Sequence, residues 1–230
     1  MRKKKTDELF SLIADKYDLL NHILSLNADR RWRKKLAELL SFSKSYKILD
    51  VCAGTCDLAI TLAKKGPKAK IIGIDISEDM LKIGLRKIDN LNLCQNITLQ
   101  RSDAFNLPFR DETFDAVTIG FGLRNFLDVK KGIEEMIRVL KKGGVLLILE
   151  LTLPEQSFLA KVYKFYLKKI VPLIGGLISG SKASYEYLSS SIIGFFDREE
   201  IIELLKEEKL KNIYLKNLSS GIACILKGEK

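Results

Sequence analysis

The chain has one histidine, His22, and four cysteines, Cys52, Cys56, Cys94 and Cys224, with no C-x-x-C pair among them. That is too few ligands, at the wrong spacing, for a zinc finger or other His/Cys metal centre, and no metal is expected. Reduced thiols of a cytosolic protein are the default reading. No run of about 18 apolar residues occurs, which argues against a membrane-spanning helix. MRKKKTDELF is basic, but no apolar core of signal-peptide length follows it. Two motifs are also missing. There is no G-x-G-x-x-G turn of the dinucleotide type and no N-P-P-Y-like strand end of the kind used by amino-directed DNA enzymes. Internal repeats and low-complexity tracts are absent too.

What is present suits a single α/β domain with inserted or terminal caps. Hydrophobic residues make up 47% of 230 positions and charged residues 30%, ordinary values for a chain with a buried core. Lysine and arginine exceed acids by 39 to 29, a net charge of +10. An excess of this size favours anionic partners without identifying one, and a solubilising surface bias explains it equally well. Nucleic acid is not expected as a partner, because the charge is divided between MRKKK and KFYLKK and forms no long tract.

Residues 7–40 carry apolar positions at helical spacing: Leu9, Leu12, Ile13, Tyr17, Leu20, Ile23, Leu24, Trp32, Leu36, Leu39 and Leu40. From residue 46 the pattern alternates. Strands are expected at 46–51, 70–75, 97–101, 115–120 and 144–151, and helices at 56–65, 78–90 and 129–141. Ser77 is the N-cap candidate of the second helix. Lys141-Lys142-Gly143-Gly144 reads as a helix C-terminus, with cations against the dipole and a left-handed glycine. Alternation of this kind predicts right-handed βαβ units and a mostly parallel sheet. KNIYLKNL and GIACILKG, on either side of Ser219-Ser220, predict an antiparallel hairpin at its edge.

The most informative segments are strand ends. KILDVCAGTCDL places an acid, Asp50, before a small-residue turn at Gly54, where backbone can approach a ligand and a helix N-terminus begins. The turn is too crowded for a pyrophosphate and fits a methionyl carboxylate or sulfonium chain, which points to S-adenosylmethionine; an ordinary βα turn is the alternative. Asp50 could receive the cofactor's ammonium. Asp75 ends KIIGID, where a carboxylate can accept both ribose hydroxyls. Asp103-Ala104 follows the third strand, placed for the adenine amine and a ring nitrogen, and Met80 is a candidate for the adenine face or for the core. After the fourth strand, Gly120-Phe121-Gly122-Leu123-Arg124-Asn125 sets a cation and an amide where no periodicity calls for them. Arg124 there could face the reacting centre or form a surface salt bridge, and Asn125 could face the same centre or be a helix cap before Asp128.

YDLLNHILSLNADRRWRKKL, LDVCAGTCDLA, DISEDML, DAFNLPFRDETFD, FGLRNFLDVKKGIEEMIRVLKKGG and PLIGGLISGSKASYEYLSSSI occur in that order. Together they resemble the ubiquinone/menaquinone biosynthesis C-methyltransferase family, from about residue 7 to the terminus. FGLRN, YDLLN…RRWR and SYEYL are its more specific parts. The resemblance implies a class I S-adenosylmethionine-dependent methyltransferase with a Rossmann-like sheet. It divides the chain into an N-terminal helical lid over 1–45 and a methyltransferase domain over 46–230, with a helical cap insertion at about 155–195. It also implies C-methylation of a prenylated benzoquinol or naphthoquinol. By position it gives Thr55, Asp75, Asp103, Ala104 and Gly120 to the cofactor, Arg124 and Asn125 to the quinol as catalytic residues, and Tyr17 and Asn21 to a substrate-facing lid. Three positions depart from the pattern. Cys56 stands where a glycine is usual, so a positive φ there would be strained. Asp29 replaces a histidine, and His22 an acid.

In such a reaction the ring carbon attacks the sulfonium methyl once the hydroxyl loses its proton. An arginine is too weak an acid, with a pKa above about 12, to serve as a simple base, so Arg124 is expected to hold the developing phenolate or position a water. Residues 156–178 mix aromatics with Lys161, Lys164, Lys168 and Lys169. This suits either an amphipathic cover on the sheet or an interfacial face for peripheral contact with the cell membrane's inner leaflet. The expected protein is cytoplasmic, and a homodimer is left open. A methyltransferase acting on another phenol or lipid is the alternative function.

Overall fold

The computed structural model describes residues 13, 14, 16–42 and 46–230, so Leu9, Leu12 and the basic start lie outside the described residues. A helix over 16–24 (α1) leads through a turn at 25–27 into α2, Ala28–Ala37. Trp32 and Leu36, four apart on α2, are buried, as is Leu20 of α1.

The alternating region then runs β1 Lys47–Val51, α3 Asp57–Lys65, β2 Lys70–Asp75, α4 Glu78–Asn90, β3 Ile97–Arg101, β4 Phe114–Gly120, α5 Val129–Val139 and β5 Leu140–Leu151. Three cap helices follow, α6 Ser157–Phe165, α7 Val171–Ser179 and α8 Lys182–Ile193, the first two joined by a π-helical turn over Tyr166–Ile170. The chain closes with α9 Arg198–Glu207, β6 Lys211–Leu218 and β7 Ala223–Glu229. The seven strands lie in the order β3-β2-β1-β4-β5-β7-β6, and every pairing is parallel except those of β7 with β5 and with β6.

Period-two alternation sends successive residues to opposite faces of this sheet. Ile48, Ile71, Ala116, Leu147 and Ile225 pack with α2 and α3 on one side. Leu49, Ile74, Val117, Ile148 and Leu226 pack with α5 and α9 on the other. A third cluster joins Leu20 to Tyr163, Leu167, Val171, Tyr185 and Ile192, so α1 is seated on the cap helices. Tyr166 Oη donates to Leu24 O at 2.8 Å across the same seam.

Ser77 caps α4 as expected, its hydroxyl accepting from Met80 N at 3.5 Å. The helix expected over 129–141 instead stops at Val139. Leu140 is extended and fully buried, pairing with Phe114 as the first residue of β5. The carbonyls freed there are met by the chain's last residue. Lys230 Nζ donates to Ile137 O and Leu140 O, each at 2.7 Å, in the place expected for Lys141 and Lys142. Gly143 does take a positive φ of 72°, but inside β5, where the register with β4 shifts.

Asp50 sits within the sheet with Gly73 and Thr118 as its flanking partners. Its Oδ1 accepts from Thr118 Oγ1 at 2.7 Å, and its Oδ2 is buried with no partner among the described residues. Burial pushes this carboxyl up to about 7, against the Thr118 bond that lowers it. An unfolded aspartate titrates near 3.9, so between about pH 4 and 7 the folded chain holds the extra proton. Asp50 therefore contributes stability at the acid end of that window and loses it as pH rises through 7. Asp50→Asn should gain in melting temperature relative to the native chain from pH 5 to pH 8; parallel curves would refute this account.

Cys56 is the residue before α3 and has a φ of 68°, the left-handed geometry that favours glycine. Its buried sulfur lies where a Cβ on Gly84 of α4 would fall. Gly84→Ala should therefore cost about 1–3 kcal/mol in urea unfolding. In a Cys56→Ala background the same change should cost much less.

Candidate active site at the carboxyl edge of the sheet

The strand order reverses between β1 and β4, and in open α/β sheets the crevice beyond the carboxyl ends at such a point is where ligands bind. A cavity of about 600 Å³ lies there. The turn after β1 forms its floor. Ala53 N donates to Ile74 O, and Gly54, at a φ of 53°, donates its N–H to Asp75 Oδ2 at 2.8 Å. Asp75 Oδ1 accepts from Ser77 N at 2.9 Å, so the carboxylate is fixed by two backbone amides where β2 gives way to α4. Asp103, beyond β3, is held in a tight turn by Phe105 N at 3.1 Å.

Gly54, Asp75, Asp103, Ala104 and Gly120 all line this cavity, as do Met80, Arg124, Asn125 and Tyr17. Asp50 and Thr55 do not line it. Asp50 is engaged by Thr118 within the sheet, and Thr55 Oγ1 donates to Asp18 of α1 at 2.5 Å. Asn21 lines a second, mostly apolar cavity of about 660 Å³ between α1, α2 and the cap helices. Tyr17, Phe121 and Arg124 line both cavities and so form the wall they share.

Arg124 lies on the short helical turn Leu123–Asn125 that follows β4. Phe121, with a φ of 60°, bends the chain there, and Arg124 Nη1 donates to its carbonyl at 2.5 Å. The same nitrogen donates to Glu150 Oε1 at 2.6 Å. Burial pulls the guanidinium's pKa down, but Glu150 overrides it and the net shift is upward, so Arg124 stays charged. Asn125 Oδ1 accepts from Tyr187 Oη of α8 at 3.2 Å. Burial raises the pKa of Tyr17 above that of an ordinary phenol.

Several residues of the site lie outside the sequence reading. Glu150, which bonds Arg124 and lines neither cavity, carries a signal as the one acid within the apolar run LLILEL. Tyr187 lay inside SYEYL, where no residue had been given a task. Ser190, Ser191, Phe195 and Phe196, from the end of α8 and the loop after it, wall the first cavity, and nothing local marks them. The Phe105 and Phe126 rings sit 5.0 Å apart on the same wall. Cys52 also lines this cavity, but burial holds its thiol pKa well above the usual range, so it is no nucleophile.

The two helices of the N-terminal segment are pinned beside the first turn by charge. Lys87 of α4 bonds Asp18 at 2.7 Å and also reaches Asp57. Arg33 bonds Asp29 at 2.5 Å and lies 3.6 Å from Asp57. His22 Nδ1 lies 2.7 Å from Asp29 Oδ2, so two of the positions that depart from the family pattern touch each other. His22, Asp29 and Asp57 are close enough to suggest a cation site, but the Arg33 guanidinium already serves these carboxylates.

Comparison with known proteins fits this geometry. A demethylmenaquinone methyltransferase of Staphylococcus carnosus is 41% identical over 229 residues, spanning 99% of this chain and 94% of that protein. A ubiquinone/menaquinone biosynthesis C-methyltransferase of Geobacter sulfurreducens is 39% identical, spanning 97% and 87%. Among solved structures, a methyltransferase from Thermotoga maritima superposes with a TM-score of 0.69 over 98% of this chain and 99% of its own, at 20% identity. That likeness shows the fold. The model of the ubiE/COQ5 methyltransferase family matches residues 1–230, and the chain belongs to that family.

Proposed function

We propose that the chain transfers the methyl group of S-adenosylmethionine to a ring carbon of a prenylated quinol, converting demethylmenaquinol to menaquinol or carrying out the equivalent benzoquinol step. The observation that carries this reading is the meeting of two unlike cavities at Arg124. One is rimmed by strand-end carboxylates and backbone amides, the other by Leu24, Trp32, Tyr163, Leu167 and Ile192.

The donor set of the first cavity fits the cofactor. Asp75 has the chemistry for the ribose hydroxyls, Asp103 and the Ala104 N–H for the adenine edge, and Gly54 and Gly120 present bare backbone beside it. Met80, Phe105 and Phe126 supply apolar faces. Asp50 and Thr55 have a part in binding the methionyl end only if they act from behind the first turn or exchange their present partners. The cofactor supplies an electrophilic methyl on a sulfonium. The protein aligns the ring, excludes water and handles one proton. Arg124 stabilises the oxygen that becomes phenolate, Asn125 orients the same hydroxyl, and Tyr17 and Asn21 close the pocket from the lid formed by the N-terminal helices.

The tail fits the apolar cavity, which opens beside an exposed hydrophobic face. Phe158 and Phe165 of α6 are 78% and 61% exposed, Leu173 and Leu177 of α7 59% and 78%, and Leu26 83%. Lys161, Lys164, Lys168 and Lys169 are exposed on the same segment. Its other side buries Tyr163, Leu167 and Val171, so the segment is both a cover and a face for lipid. No helix among the described residues is long and apolar enough to cross a membrane. The fitting partner is the surface of an anionic bilayer, met peripherally.

Incubation with labelled S-adenosylmethionine and each demethylquinol should give one ring-methylated product. Arg124→Ala should lose about 10²–10³-fold in turnover while keeping cofactor affinity. Tight cofactor binding with no product from either quinol would move the assignment to another phenol or lipid. Phe158→Glu with Phe165→Glu should lower co-sedimentation with anionic vesicles by on the order of tenfold. Equal partitioning of variant and native chain would remove the membrane face from the account.

A further inference from the structure

Glu150 ends the apolar part of β5 with no exposure at all, and each of its hydrogen bonds serves one short stretch of backbone and one guanidinium. Its Oε1 accepts from Arg124 Nη1 at 2.6 Å and from Leu151 N at 2.8 Å, and its Oε2 accepts from Arg124 N at 3.1 Å. The carboxylate thus grips Arg124 by both side chain and main chain, tying the turn after β4 to the end of β5. The other titratable groups facing Arg124 among the described residues are Tyr17 from α1, Tyr163 from α6 and Tyr187 from α8, all phenols. Glu150 is therefore the group that balances the guanidinium's charge. Arg124 Nε is left buried, with no partner among the described residues.

We propose that Glu150 is a positioning and specificity residue: it fixes Arg124 where the two cavities meet and offsets its charge, so the acceptor pocket prefers a ring that arrives as a neutral hydroxyl over one that carries a permanent carboxylate, while the held guanidinium still faces the oxygen that loses its proton during the reaction. This rests on the reading of the pocket as a quinol site. A lone guanidinium in a dry pocket would capture carboxylates, for which its planar donors are well matched. Paired with Glu150 it forms a unit of no net charge, which suits an uncharged hydroxyl. The pairing also explains how a buried cation is kept beside an apolar tail cavity, since an unpaired charge there is strongly disfavoured.

The test compares two tail-less rings of the same size, a naphthol and a hydroxynaphthoate that adds a carboxylate, by calorimetric titration of the full-length protein. Glu150→Gln should raise affinity for the hydroxynaphthoate by about tenfold or more, the effect of uncovering one charge at hydrogen-bond range, and leave the naphthol nearly unchanged. Glu150→Asp keeps the charge but withdraws the grip, so it should keep the native preference between rings while kcat falls more than KM rises. A folded Glu150→Gln protein that binds both rings as the native chain does would overturn the proposal. If that variant does not fold, the Arg124→Gln/Glu150→Gln double variant, which buries no unpaired charge, should fold and show no preference for the anionic ring. A preference for that ring in the double variant, or turnover at the native rate, would equally refute it. Failure of the native enzyme to methylate any quinol is a separate result and bears on the substrate assignment, because the ring titrations do not depend on turnover.

Discussion

A guanidinium cannot be left uncompensated in a low-dielectric interior, and here that requirement organises the wall shared by the two cavities. Arg124 is buried on the turn after β4, and among the described residues the acid that pairs with it belongs to the neighbouring strand. Glu150 accepts from its side chain and its backbone together, so the pair sets charge and geometry at once. The left-handed bend at Phe121 delivers the turn to that acid, and the Phe121 carbonyl shares the same guanidinium nitrogen. Strain of this kind persists where the surroundings over-determine it, and it commonly marks functional sites.

The fold places a polar cleft and an apolar chamber back to back and gives them different builders. The sheet makes the cleft: parallel strands deliver Asp75, Asp103 and Gly120 to a common edge, and the reversal between β1 and β4 opens the space between them. Helices outside the alternating core make the chamber, with α1 and α2 on one side and α6 to α8 on the other. Under the proposed function, a water-soluble donor and a lipid-tailed acceptor would approach from opposite sides and meet at Arg124. The acidic and basic seam of Asp18, Lys87, Asp57, Arg33, Asp29 and His22 holds α1 and α2 beside the first turn. It competes directly for Thr55, whose hydroxyl is given to Asp18 and not to the cleft.

Local chemistry made much of this legible beforehand. The acids Asp75 and Asp103, the small turn at Gly54 and the Ser77 cap each follow from spacing within a dozen residues and lie at the edge that spacing implies, whereas Asp50 is drawn into the sheet by Thr118. The positive φ of Cys56 was readable only through the family resemblance, which places a glycine at that position. Less legible were features assembled from distant segments. The stop of α5 at Val139 depends on Lys230, some ninety residues later, which supplies the cation to its carbonyls. The aromatic wall from Phe195 and Phe196 depends on how α8 packs.

By itself the sequence determined the alternation of strand and helix, the mostly parallel sheet with its closing hairpin, and the row of carboxylates at its edge, because all of these are written in periodicity and in the nearest neighbours of each residue. Only the tertiary structure decided that Glu150 answers Arg124, that His22 pairs with Asp29, and that Asp50 is locked against Thr118. Pairings of buried charge depend on which side chains are brought together when water is excluded, and no local pattern encodes that.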